Sequence, residues 1–142
     1  MMYVLDTDHL GEYQMGTSPE SQRLAGRLDS ATGPVTTTII TVEEIMRGWM
    51  AAIRRANNPQ RQQKAYDRLA NLFQFFAGWR ILRWDDSAIA QFEQSLQNKI
   101  RIGTMDLKIA SIALANDATV LTRNARDFGK VPNLRIEDWL SG

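Results

Sequence analysis

Acidic side chains stand at well-separated places in this chain, at Asp6, Glu44 and Asp106, with Asp127 close to Asn124 further on. Oxygen donors of this kind suit one chemistry above others. Carboxylates brought together repel, and one is driven to bind a proton unless a cation compensates. Magnesium and manganese are hard ions that prefer oxygen ligands and keep several waters. A bound ion lowers the pKa of water, producing a nucleophile near neutral pH, and stabilises charge building on a phosphate. Two such ions, about 3.5–4 Å apart, clamp the attacking and leaving oxygens together.

Composition removes the competing machinery. There are no cysteines, which excludes disulfides, zinc–thiolate sites and thiol nucleophiles. His9 is the single histidine, so the His–His acid–base pair of a metal-free ribonuclease is missing. It reads as a packing or hydrogen-bonding residue rather than a ligand. If this chain cleaves nucleic acid, carboxylates and a metal ion are the machinery its composition favours. The 17 basic against 16 acidic residues give no global signature of nucleic-acid binding, although a local basic patch can sit on a neutral protein.

The carboxylates need elements to bring them together. At 142 residues and 44% hydrophobic, the chain suits one domain with a continuous core, residues 1–142. Tyr3-Val4-Leu5 reads as a buried strand ending at Asp6, followed by a short helix from Thr7 or Asp8. Gly16, Ser18 and Pro19 form a loop, and Pro19 opens a helix to about Leu28. Val35–Ile40 is β-branched and reads as a second strand. A helix from Thr41 carries Val42, Ile45, Met46 and Trp49 on one face, and Asn57-Asn58-Pro59 breaks it.

A further helix spans about Gln60–Ala77, with Tyr66, Leu69, Leu72, Phe73 and Phe76 as its apolar stripe. Arg80–Trp84 is a third strand, and Asp86-Ser87 is placed to cap a helix over Ala88–Gln97. Thr104 is placed to cap a helix from Met105 to Ala115, Ala118–Thr122 is a fourth strand, and Leu134–Trp139 offers a short fifth. Alternating strands and helices predict an α/β fold on a mostly parallel sheet of four to five strands.

Parallel sheets place ligands outside the carboxyl ends of their strands. Asp6 lies at such an end, Asn124 and Asp127 follow another, and Asp106 and Glu44 lie early in helices entering from that side. Each also has a purely structural explanation. Asp6 could be a helix N-cap. Glu44 and Asp106 could complement helix dipoles, Asn124 could be a turn residue, and Glu43 reads as solvated.

Several segments in order resemble the VapC-type PIN-domain toxins over nearly the whole chain. They are Tyr3-Val4-Leu5-Asp6-Thr7-Asp8-His9-Leu10, then Thr41-Val42-Glu43-Glu44-Ile45-Met46-Arg47-Gly48, then Ile102-Gly103-Thr104-Met105-Asp106-Leu107-Lys108-Ile109-Ala110, continuing through Ala118 to Phe128. The resemblance implies an α/β/α sandwich and a metal-dependent endoribonuclease hydrolysing RNA at a Mg²⁺ site, with Mn²⁺ as substitute. It implies Asp6, Glu44 and Asp106 as metal-binding catalytic acids, with Thr122 and Asn124 at the same site. Thr7, Asp8 and Asp127 stand beside them. Many members carry a fourth acid where this chain has Asn124, and Asp8 replaces a more usual Asn.

The resemblance further implies a homodimer and an inhibiting antitoxin that inserts a segment near the site. Arg47, Arg54 and Arg55, with Arg61, Lys64 and Arg68, form a basic stretch suited to RNA phosphates, to an antitoxin, or simply to solvent. No segment is apolar enough to cross a membrane, and Met1–Leu10 lacks the basic and long apolar regions of a signal peptide. A cytoplasmic location is expected.

Two rivals stand beside this reading. Asp6-Thr7-Asp8 also resembles the nucleophile motif of haloacid-dehalogenase-like phosphatases, with Asp6 attacking phosphate and Asp85-Asp86 as late metal ligands. That leaves the Glu44 and Asp106 segments unexplained. A non-catalytic binding module on the same fold is the other, favoured by the uncharged Asn124.

Overall fold

The computed structural model describes residues 1–141. Five strands form one sheet: β1 (Met2–Leu5), β2 (Val35–Thr38), β3 (Arg80–Leu82), β4 (Ala118–Leu121) and β5 (Arg135–Glu137). Every neighbouring pair is parallel, in the order β3-β2-β1-β4-β5. The sheet is therefore wholly parallel rather than mostly so. The helices between the strands are α1 (Thr7–Met15), α2 (Pro19–Asp29), α3 (Ile39–Arg55), α4 (Pro59–Ala77), α5 (Asp86–Gln97), α6 (Thr104–Ala115) and α7 (Ala125–Phe128).

Side chains alternate across a strand, so neighbours in one strand feed opposite cores. Val4 and Val120 pack with Leu107, Ile109 and Ile112 of α6 on one face. Leu5 and Leu121 pack with Leu10, Leu24, Leu72 and Phe76 from α1, α2 and α4 on the other. The central strands are buried on both faces, which is the α/β/α sandwich. In β2 the buried positions are threonines, and their hydroxyls are satisfied: Thr36 and Thr37 donate to the carbonyls of Tyr3 and Leu5, at 2.8 and 3.1 Å.

Several boundaries move for physical reasons. The second strand stops at Thr38 because its hydroxyl accepts from the Thr41 amide at 3.1 Å and caps α3, so Ile39 and Ile40 turn helical despite their β propensity. Asp85, not Asp86-Ser87, caps α5 by accepting from the Ala88 amide. Thr104 is inside α6, whose N-cap is Gly103 with no side-chain cap bond. Asn58 caps α4 and Pro59 opens it. The short α7 was not expected, and Asn124 is its N-cap. The apolar stripe of α4 is split: Leu72 and Phe76 are buried, whereas Tyr66 and Phe73 are 55% and 64% exposed.

Thr38→Val is expected to lower unfolding free energy by about 1 kcal/mol, since the shape is kept while the cap bond and a longer 3.4 Å bond to the Thr41 hydroxyl are lost. Urea denaturation checks this, and an unchanged midpoint would remove the cap from the account of where α3 begins.

Candidate active site

All strands point the same way, so their carboxyl ends share one edge. The strand order reverses direction at β1, with β2 on one side and β4 on the other. Such switch points open a crevice. Asp6 follows β1 directly, Thr122 and Asn124 follow β4, and the Asp6 amide donates to the Leu121 carbonyl at 3.1 Å, tying the two tips together. Asp6 is only 4% exposed.

Its side chain is also the N-cap of α1, with Oδ1 accepting from the His9 amide at 2.9 Å. The structural reading of Asp6 as a helix cap therefore holds, and it uses Oδ1 alone. Glu44 enters from α3. Its Oε1 accepts from the Thr7 hydroxyl at 2.6 Å, so the first residue of α1 orients an acid 37 positions away.

Asp106 lies in the first turn of α6. Asn124 sits between it and Asp127: its Nδ2 donates to Asp127 Oδ2 at 3.1 Å and lies 3.5 Å from Asp106 Oδ2. The Asn124 amide donates to Thr122 Oγ1 at 2.8 Å, which holds the turn after β4. An uncharged amide thus stands where a fourth acid would add repulsion, and Asp127 also pairs with Lys130 at 3.7 Å.

The electrostatics report the crowding. Burial pushes the Asp106 carboxyl up to about 6, and the charges of Glu44, Asp6, Asp127 and Asp8 push the same way. Asp8, though exposed, is also raised, by partial desolvation and then by Asp6, with His9 and Arg123 acting against it.

Among the described residues, no three His, Cys, Asp or Glu side chains stand close enough together to hold a metal ion. The fit to a divalent ion is therefore one of chemistry: hard carboxylate oxygens from three elements, mutually repelling, at one crevice.

The basic residues divide. Arg47 is exposed and paired with Glu43 one turn back, and Arg54 is exposed at the end of α3. Arg55 lies at the far end of α3 from Glu44 and, with Thr7, Asp8, Gly11, Trp49 and Ala52, lines a groove of about 490 Å³ between α1 and α3.

His9 is wholly buried, and its Nε2 accepts from the Trp139 amide at 3.1 Å. It is a hydrogen-bonding residue as expected, but its partner lies 130 positions away, where no sequence pattern could point.

Residues 3–134 match the PIN domain. The chain belongs to the PIN-domain family. This PIN domain is 27% identical over 140 residues to Ribonuclease VapC2 of Rickettsia felis, covering 98% of both chains. It is also similar to the structure of FitAcB from Neisseria gonorrhoeae, at 26% identity and a TM-score of 0.71, covering 97% of this chain and 98% of that one. DNA-bound VapBC from Salmonella typhimurium shares the fold, with a TM-score of 0.74 at 24% identity over 98% of each chain.

The VapC-type resemblance of the sequence is thereby upheld. The match spans the Glu44 and Asp106 segments that a phosphatase reading leaves unexplained, and Asp85 is occupied as a helix cap. No helix of the described residues in this PIN domain is long and apolar enough to cross a membrane.

Proposed function

We propose that this PIN domain is a Mg²⁺- or Mn²⁺-dependent endoribonuclease and the toxin of a toxin–antitoxin pair. The observation that carries the catalytic part is the convergence of Asp6, Glu44 and Asp106 on one crevice, where burial first, and then the charges of Glu44 and Asp6, push the Asp106 carboxyl up to about 6. The name of its R. felis relative supports RNA as substrate, and the VapBC complexes among its structural neighbours support an antitoxin partner. A homodimer and a cytoplasmic site of action are carried over from the family resemblance and the sequence.

Asp6, Glu44 and Asp106 would hold the ion. When bound, a divalent ion supplies a Lewis acid for the phosphate and a nucleophile drawn from water near neutral pH. Thr7 holds the Glu44 carboxylate by its 2.6 Å hydrogen bond, so that acid meets its ligand without losing side-chain freedom at that moment. Thr122 shapes the turn that presents Asn124, and Asn124 spaces Asp106 from Asp127.

RNA would approach along the groove that ends at Arg55. Arg55 also lines a second depression with Arg61, Lys64 and Arg68, and the Arg68 guanidinium lies 5.8 Å from the Trp49 ring centroid. Phosphates bound there would make affinity fall with salt. Of the three arginines singled out by sequence, Arg55 lines the groove that Thr7 and Asp8 also line, whereas Arg47 is engaged by Glu43.

The test is cleavage of total cellular RNA by the purified protein with Mg²⁺ or Mn²⁺, against a chelator control. Discrete fragments that depend on the ion are expected. A folded, ion-binding protein that cuts no RNA would instead support a binding module, with the uncharged Asn124 as its cause.

A further inference from the structure

His9 is 0% exposed and is packed at the base of the site. A buried imidazole needs partners for both nitrogens. Nε2 accepts from the Trp139 amide at 3.1 Å. The Asp138 carboxylate is also near, with Oδ1 at 3.6 Å from Nε2, but that oxygen accepts from the amides of Leu140 and Ser141 at 2.9 and 3.1 Å. An acceptor nitrogen carries no proton, so the ring proton is on Nδ1.

Nδ1 is the one buried side-chain nitrogen or oxygen among the described residues without a hydrogen-bond partner. The acceptor facing it is Asp6 Oδ1, at 3.5 Å. The same oxygen takes the backbone amide of His9 at 2.9 Å. The backbone amide of residue 9 thus donates to an oxygen that its Nδ1 also approaches without bonding. Hydrogen bonds at active sites are often long before the ligand arrives and tighten with it.

We propose that His9 is a positioning residue for the metal site. Its Nδ1–H donates to Asp6 Oδ1, with the tautomer set by the Trp139 amide, and so fixes the orientation of a carboxylate that would hold the ion. Outer partners of this kind fix ligand orientation and govern metal affinity. The inference rests on Asp6 being a metal ligand, as proposed above. It adds that the turn 138–141, far along the chain from Asp6 and Glu44, takes part in building it.

Two near-isosteric substitutions separate the two hydrogen bonds. His9→Gln places a side-chain oxygen near the Nε2 position, where it can accept from Trp139, but has no donor near Nδ1. His9→Asn places an amide N–H near Nδ1 but cannot reach Trp139. Mn²⁺ affinity by titration calorimetry, and melting temperature in chelator, are measured for both on the full chain.

His9→Gln is expected to weaken Mn²⁺ binding by about 10–100-fold while melting close to the parent. His9→Asn is expected to melt lower while keeping most of the affinity. A purely structural histidine would move melting temperature alone, and Mn²⁺ affinity unchanged in folded His9→Gln overturns the proposal.

If neither variant folds, the parent decides. His9 is the single histidine, so one pair of ¹⁵N signals reports its tautomer. An Nδ1–H ring whose signals shift on adding Mg²⁺ supports the proposal, and an Nε2–H ring overturns it. A parent that binds no Mn²⁺ defeats the functional reading and this inference together. A parent that binds, with Asp6→Asn failing to bind and His9→Gln binding normally, defeats this inference alone.

Discussion

Asp6→Asn is expected to lower RNA cleavage by about 10²–10³-fold or more, the scale on which losing one preorganised charge-stabilising group costs an enzyme. Asparagine is the informative choice. The Asp6 side chain caps α1 through the His9 amide, and Asn caps as well as Asp. The helix, the burial and the link from β1 to β4 are therefore kept while the negative charge is removed. Asp6→Ala would mix two effects, because losing the cap costs about 1 kcal/mol by itself. Cleavage rates at saturating Mn²⁺, together with circular dichroism of both proteins, check the expectation. Full activity in a folded Asp6→Asn protein would remove Asp6 from the catalytic machinery.

Without metal, Asp106→Asn is expected to be more stable than the parent at neutral pH by about 1–2 kcal/mol. The sign follows from linkage. The Asp106 carboxyl stands at about 6 in the folded protein against an ordinary 3.8. Between those values the folded state holds the extra proton, so this group makes stability fall as pH rises from about 4 to about 6. Above that range the penalty is fully present. The full shift would correspond to about 3 kcal/mol, reduced here because Asp106 is only half-buried and solvent screens its neighbours.

The neutral amide removes that slope. The difference between parent and variant should therefore grow through this window and then level off. Urea denaturation across pH in chelator measures it, and parallel curves would contradict the crowding at the site. Adding Mn²⁺ should reverse the ranking, because only the parent keeps all three acids to bind the ion and gain stability by mass action.

These outcomes rest on features of different legibility. Asp6 at the end of an apolar strand and Asp106 at the start of a helix are visible in the chain, because apolar periodicity marks elements and parallel sheets present one edge. Arg47 and Arg55 look equivalent in sequence, yet one pairs with Glu43 and the other lines the groove. The end of the second strand was also misplaced. β-branched residues favour strands, but the Thr38 hydroxyl reaches the Thr41 amide and starts the helix at Ile39, two residues early.

The sequence by itself determined the alternation of strands and helices, the family resemblance and the three acids proposed for the site. Periodicity and residue type are local, and they survive in one dimension. Only the tertiary structure decided that Asp6 caps α1, that Thr7 holds Glu44, that Asn124 stands between two carboxylates, and that His9 lies between Asp6 and the Trp139 amide. Such pairings depend on which strand tips the sheet order brings together, and that order comes from packing two cores at once rather than from any local pattern.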